Sequence, residues 1–452
     1  MKPRRILLFI LFLSFISIYS QEKNEMEFHL LSQDDDMSFL SKAKNKSIYE
    51  SLKWIDLRNE NSLSFGGGYR FQVESFLNEN FVKQRNQDNI RYFNRVLLHS
   101  SLNLGDRFEL YVELNSSTVI DKTDISPVDK DELSVNQAFI EYNFNELWSF
   151  LFGRENLKFG SRRLIDIREG PNVRRSFDLL RFDYKNDFTN VTTFFSIPVK
   201  PKPKLFDNEY LKFHELFTGI YATKKVSKTL NFDFYGFYQK DDDVTYSIGY
   251  ANERRYSLGT RFFGTLNKFT FNNEAVYQFG KFGELGINAY TISLQGEYEN
   301  NHIGDKTVFG LKTELISGDK SQKDTHLNTF DPLYPRGAYF GRVAKFGPAN
   351  LIDIHPYINI NKSAWYIEID YDIFWRYSIN DGVYNAAIQI EYPSTNDDAF
   401  IGHQFGTLFG YNANNHLNME LETNLIIPGE FLKNSNLTSN LFHVVVTTEF
   451  KF

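Results

Sequence analysis

The chain has 452 residues, a formal net charge of −7 and no cysteine. The missing thiols exclude disulfides, thiolate metal sites and a lipid-modified cysteine anchor, and the acidic balance makes any basic concentration a local feature. Phe, Tyr and Trp together reach 17% of the sequence, a share that suits a membrane barrel with aromatic girdles better than a soluble domain.

Lys2, Arg4 and Arg5 precede an apolar run from Ile6 to Ile18, followed by Ser20 and Gln21. This reads as a secretory signal peptide over residues 1–20; the run is too short to cross a bilayer as a helix. No later apolar run is long enough for a transmembrane helix. Residues 21–57 are polar, with Asp34-Asp35-Asp36 set against Lys42, Lys44 and Lys46. They are expected to form a leader on the periplasmic side. Residues 58–452 are then one outer-membrane β-barrel.

From Ser62 onward the sequence alternates. Tyr69, Phe71 and Val73 share one parity while Arg70, Gln72 and Glu74 take the other. Between Trp365 and Trp375, Ile367, Ile369, Tyr371 and Ile373 alternate with Tyr366, Glu368, Asp370, Asp372 and Phe374. Period two sends successive side chains to opposite faces of a strand. An apolar face with an aromatic residue at each end matches a lipid-facing belt. Such runs number about eighteen, the first at Ser62 and the last at Asn440. The predicted fold is therefore all-β, a transmembrane antiparallel barrel.

The connections sort by parity. Those from even to odd strands are short, as at Gly105-Asp106, Lys185-Asn186 and Leu266-Asn267. Those from odd to even strands are often long; they include 156–175, 240–253, 318–349 and 377–398. Short periplasmic turns and long extracellular loops are the pattern of outer-membrane barrels. In the last run Phe442, Val444, Val446, Thr448, Phe450 and Phe452 share a face. A terminal aromatic there resembles the signal read by outer-membrane assembly machinery, an expected partner along with outer-membrane lipid.

Little suggests catalysis. The nine histidines are scattered, with no HExxH pair, and no GxSxG, Walker or GxGxxG element stands in context. No catalytic residue, metal site or cofactor is assigned, and the chain is not expected to be an enzyme. Nucleic acid is not an expected partner at an outer-membrane location.

The conspicuous charge feature is basic. Residues 153–184 hold Arg154, Lys158, Arg162, Arg163, Arg168, Arg174, Arg175 and Arg181. Loop parity puts 156–175 on the extracellular side. Strand parity sets Arg181, Asp183 and Lys185 on the lumenal face, with Glu368, Asp370 and Asp372 facing the lumen elsewhere. Arg154 shares parity with Trp148, Phe150 and Phe152, so alternation alone points it to lipid. Facing rows of bases and acids in a lumen select solute charge, and the planar guanidinium suits carboxylates.

The same stretch resembles the alginate export family of outer-membrane proteins. Gly153-Arg154-Glu155, Phe159-Gly160, Arg163-Leu164 and Ser176-Phe177-Asp178 follow its first block. A second block, Ser317 to Pro356, contains Asp331-Pro332-Leu333-Tyr334-Pro335-Arg336-Gly337 and Asn350-Leu351-Ile352-Asp353-Ile354-His355-Pro356. Glu155 and Leu179 depart from the family pattern. The resemblance implies an eighteen-stranded barrel that passes an anionic polyuronate through an arginine-rich constriction. It implies solute contacts at Arg154, Arg163, Arg181 and Arg336, with Arg162, Arg174, Arg175 and Lys185 as further basic candidates. Asp178 and Asp183 would be orienting acids, together with Glu368, Asp370 and Asp372 from the parity reading. The 331–337 segment would fold toward the pore, and a periplasmic export complex is a candidate partner. A porin for small anions or oligosaccharides is the alternative within transport; a non-conducting surface-binding barrel is the alternative outside it.

Overall fold

A computed structural model describes residues 26–83, 89–321 and 323–452; the signal peptide expected over 1–20 lies outside the described residues. Eighteen strands form the wall. They are β1 Ser62–Leu77, β2 Asn89–Leu104, β3 Phe108–Ile120, β4 Asp131–Asn143, β5 Trp148–Glu155 and β6 Phe177–Lys185. β7 is Thr189–Pro198, β8 Leu216–Lys225, β9 Leu230–Tyr246, β10 Gly249–Leu266, β11 Phe269–Phe282 and β12 Leu285–Asn300. β13 is Lys306–Ile316, β14 Leu351–Lys362, β15 Trp365–Arg376, β16 Phe400–Asn412, β17 Leu417–Pro428 and β18 Leu441–Lys451.

Each strand pairs antiparallel with the next. β1 then pairs with β18, from Gly68 opposite Lys451 to Leu77 opposite Phe442. Phe452 extends this seam: its amide donates to the Gly67 carbonyl at 2.9 Å. Closure leaves no strand edge whose N–H and C=O groups would face hydrocarbon unpaired.

On one rim the turns are tight. Asn267 and Ser363 adopt φ of 56° and 51°, the left-handed backbone that two-residue hairpins require. The other rim carries the long connections, with two exceptions. The expected loop at 240–253 is not one: β9 and β10 run on to Tyr246 and Gly249, leaving Ser247 and Ile248 as the turn. Their register shifts between Asp241 and Val244, and that bulge breaks the alternation by which a strand is recognised. β11 and β12 likewise meet at Gly283-Glu284.

The outward face is apolar. Phe152, Phe182 and Leu258 are 58%, 50% and 55% exposed, as lipid-facing residues of a lone barrel must be. The inward face is polar and largely covered, with Arg95, Glu113, Arg255, Gln278 and Asp353 buried. What covers it is the protein itself. Residues 156–176, between β5 and β6, and residues 317–350, between β13 and β14, pack inside the wall on an apolar cluster that includes Leu164, Ile165, Phe177, Phe217, Phe330 and Phe340.

The leader also lies within. Hydrogen bonds tie it to the inner side of the wall and to the rim of tight turns. Gln137 of β4 donates to the Gln33 side-chain oxygen at 2.7 Å, and Lys451 of β18 donates to the His29 carbonyl at 3.1 Å. Helix α1, Ile48–Lys53, starts with a capping box between Ser47 and Glu50. It ends at Lys53, whose buried ammonium lies 5.4 Å and 5.7 Å from the Phe28 and Tyr49 ring centres.

The lipid-facing assignment predicts a penalty. Leu258→Arg, near the middle of β10, is expected to destabilise the barrel by about 2–4 kcal/mol, read from urea titrations in lipid vesicles. Wild-type stability would show that this face does not meet hydrocarbon.

Candidate solute pathway in the lumen

The two internal loops are joined by backbone. Ile165 and Tyr334 form a parallel bridge, in which the Asp166 amide donates to the Tyr334 carbonyl and the Tyr334 amide to the Leu164 carbonyl, both at 2.8 Å. Pro332 and Pro335 flank Tyr334 and restrict the chain there. The Tyr334 ring sits edge-on to Phe177 and Phe217, at 5.1 Å and 4.9 Å between ring centres. Upstream, Phe159 stacks on Phe194 and Tyr221 at 5.5 Å and 5.1 Å. The next residue must be glycine: Gly160 has φ of 53°, and a Cβ there would stand 2.0 Å from the Tyr221 hydroxyl.

Ion pairs fix the first loop to the wall. Glu169 is met by Arg174 at 2.6 Å, by Arg70 at 3.6 Å and by Arg95. Burial opposes its charge, yet Arg174, Arg95 and Arg70 together hold its carboxyl well below the usual carboxylate range. Arg70 also donates to the carbonyls of Glu169 and Pro171, at 2.7 Å and 2.8 Å. Arg163 spans from the loop to Glu314 at 3.1 Å, Gln295 at 3.2 Å and Glu274 at 3.4 Å.

Between the loops and the wall lies a cavity of about 580 Å³. The loops contribute Arg162, Arg163, Arg336 and Arg342. The wall contributes Glu297, Glu368, Asp370, Glu420, Glu422 and Glu449. Asp166 and Glu169 on the loop, and Arg70 and Lys312 on the wall, complete eight carboxylates and six cationic groups. The cations are thus concentrated on the loop side and the acids on the wall side, which sets an electric field across the cavity. Leu30 of the leader also lines it; the Leu30 carbonyl accepts from Arg174 at 3.1 Å, and Asp34 pairs with Lys158 at 2.9 Å.

The arginines differ in freedom. Arg162 pairs with Asp166 at 2.5 Å, with the arginine side chain 35% exposed. Arg342 is held by Glu420, by Glu422 at 3.7 Å and by the Thr447 hydroxyl at 2.6 Å. Arg336 is exposed; its guanidinium donates to the Tyr339 carbonyl at 3.3 Å. Among the described residues no carboxylate comes within salt-bridge distance of it.

The remaining sequence candidates lie elsewhere. Arg154 faces outward on β5 and binds Asp178 of β6 through two nitrogens, at 2.7 Å and 3.1 Å. Tyr210 of the β7–β8 connection lies 5.7 Å from this guanidinium, and Phe206, Leu211 and Phe213 line the same outer hollow. Gly153 adopts φ of 137° without turning Arg154 inward. Arg181 faces inward, bound to Asp183 at 2.7 Å and to Glu155, away from the cavity lining. Lys185 is exposed at the end of β6. Arg174 is buried against Glu169, and Arg175 lies 5.1 Å from the Tyr334 ring centre and donates to the Pro335 carbonyl at 3.3 Å. Glu368 and Asp370 line the cavity, whereas Asp372 is fully buried beside His355. Sequence reasoning missed Arg342, Arg70, Lys312, Glu420 and Glu422. Arg70 was visible in the alternation of β1, and Arg342 lies five residues beyond Gly337, just past the singled-out segment.

A sequence model described as "Alginate export" matches residues 61–444. No match was found among curated proteins. The fold is similar to that of OccAB1 from Acinetobacter baumannii, at 10% identity and a TM-score of 0.59 over 89% of this chain and 100% of that one. It is also similar to OccD3 (OpdP) from Pseudomonas aeruginosa, at 11% identity and a TM-score of 0.57 over 89% and 93%. OccK8 (OprE) from the same organism gives 9% and 0.56 over 86% and 98%.

Two buried acids make the second loop sensitive to pH. Burial lifts Asp319 to about 6 and Asp331 to about 7. A carboxyl raised on folding stabilises the packed loop while protonated, and that contribution is lost as pH rises through the raised value. Protection of 317–350 from hydrogen exchange, corrected for intrinsic rates, is therefore expected to fall by roughly tenfold or more from pH 5 to pH 8. Asp331→Asn should flatten the dependence; an unchanged slope in that variant would remove Asp331 as its source.

Proposed function

Because the chain belongs to the alginate export family, we propose that its lumen passes an anionic saccharide of the polyuronate class. Family and fold together make it a channel-type β-barrel of a Gram-negative outer membrane. The observation that carries the solute assignment is Arg336, an exposed guanidinium with no acidic partner among the described residues, lining a cavity whose other arginines are already held. Arg336 offers a planar fork to a uronate carboxylate. Arg162, partly exposed, is the second contact. Arg163 and Arg342 stay bound to their glutamates, keep the loops in place and contribute to the field. Tyr339 and Tyr357 line the cavity beside the sugar, their hydroxyls held by Glu314 and Glu297. Phe452, closing the last strand, is the proposed signal for the assembly machinery, and a periplasmic export complex would dock at the rim of tight turns.

Planar-bilayer recordings test this. Wild type is expected to prefer anions and to be blocked by polyuronate, and Arg336→Glu to lower that preference and weaken the block by roughly tenfold. Preference and block unchanged in Arg336→Glu would refute the assignment. The excess of carboxylates in the lining favours a second reading, a porin for neutral oligosaccharides. It predicts conductance without polyuronate block.

The leader supports a further expectation. Because it occupies lumenal space, removal of residues 26–57 should raise single-channel conductance severalfold. Equal conductance would mean that the leader leaves the pathway when the pore is open.

A further inference from the structure

Behind the cavity, strands β14 and β15 bring together three metal-binding side chains that the solute pathway does not use. Asp353 and His355 are two residues apart on β14, so both face inward. Asp372 faces inward on β15, whose register sets Phe374 opposite Asp353. One ligand atom of each of the three lies within 4.8 Å of the other two. Asp353 and Asp372 are both 0% exposed.

None of these atoms is satisfied by protein. Both oxygens of Asp353, Oδ1 of Asp372 and Nδ1 of His355 are shielded from solvent and make no hydrogen bond. His355 Nδ1 stands 2.9 Å from Asp372 Oδ1, a hydrogen-bonding distance at which the angles do not form a hydrogen bond. Nearby cations are committed: Lys312 pairs with Glu314 at 2.9 Å, and Arg163 reaches the same glutamate. Among the described residues, no lysine or arginine comes within 4.0 Å of Asp353. A buried carboxylate left without a counter-charge is strongly disfavoured.

We propose that Asp353, His355 and Asp372 bind one divalent transition-metal ion. One imidazole with two carboxylates suits Zn²⁺ and its neighbours, whereas Ca²⁺ and Mg²⁺ favour all-oxygen shells. Three protein ligands leave a position for water, and His355 borders the cavity from which water would come. Gln404 supplies the outer support. Its amide lies 3.4 Å from Asp372 Oδ2 and donates to the Phe340 carbonyl at 2.6 Å. One glutamine thus joins the site on the wall to the internal loop 317–350.

The test uses the full chain in detergent, stripped with a chelator and equilibrated with micromolar Zn²⁺. Elemental analysis is expected to find one ion per chain, and Co²⁺ substitution to give the visible bands of a low-coordinate site. His355→Gln and Asp353→Asn should each weaken Zn²⁺ binding by at least about tenfold. The shift in gel mobility between unheated and boiled samples reports whether each variant has folded. Should Asp353→Asn not fold, His355→Gln decides alone, since that side chain is partly exposed. Substoichiometric uptake by wild type overturns the proposal and leaves a proton shared among the acids. Full uptake by folded His355→Gln overturns it as well. The readout is independent of transport, so it stands apart from the solute assignment.

Discussion

Hydrocarbon accepts no unpaired backbone amide, and the rest of this molecule follows from that constraint. Eighteen strands must close on themselves, and β1 meets β18 to do so. A ring of that size encloses more space than side chains alone can fill. The chain fills it with its own loops. An apolar cluster of Phe177, Phe217, Phe330 and Phe340 forms inside the barrel, where many porin-like rings would hold water. The polar pathway is what remains between that cluster and the acidic part of the wall.

Charge then settles how the filling is held. Glu169 gathers Arg70, Arg95 and Arg174, and Arg163 joins a loop to three strands. Most of the basic segment is therefore structural: its guanidiniums orient carbonyls and carboxylates within the protein. Among the described residues lining the cavity, the arginine without an acidic partner is Arg336, on the second loop. A sequence rich in arginine does not imply a pore rich in free arginine, because a buried guanidinium is costly unless acids or carbonyls offset its charge.

The barrel was legible because its grammar is local. Period two, tight turns on one rim and a terminal aromatic strand all register in neighbouring residues, and the strand starts follow. The bulge at Asp241 to Val244 hid the tops of β9 and β10, since one irregular register erases alternation. The candidate site was less legible because it depends on pairs far apart in sequence. Alternation already points Arg154 outward, but nothing near it announces the aromatic hollow around Tyr210. Nothing near Arg163 announces Glu314. Glu368 and Asp370 could be placed on the lumenal face by parity, but parity cannot say which cation, if any, stands across from them.

The leader carries one more consequence. Its anchor points include Lys451, on the last strand, and Asn415, in the last tight turn, which donates to the Met26 carbonyl at 3.0 Å. These partners are the final parts of the wall to be made. The segment that leaves the ribosome ahead of the barrel therefore finds its full set of partners only once the ring has shut. Until the last strand is in place the leader has only part of its binding surface, the part offered by Gln137, Lys158 and Arg174.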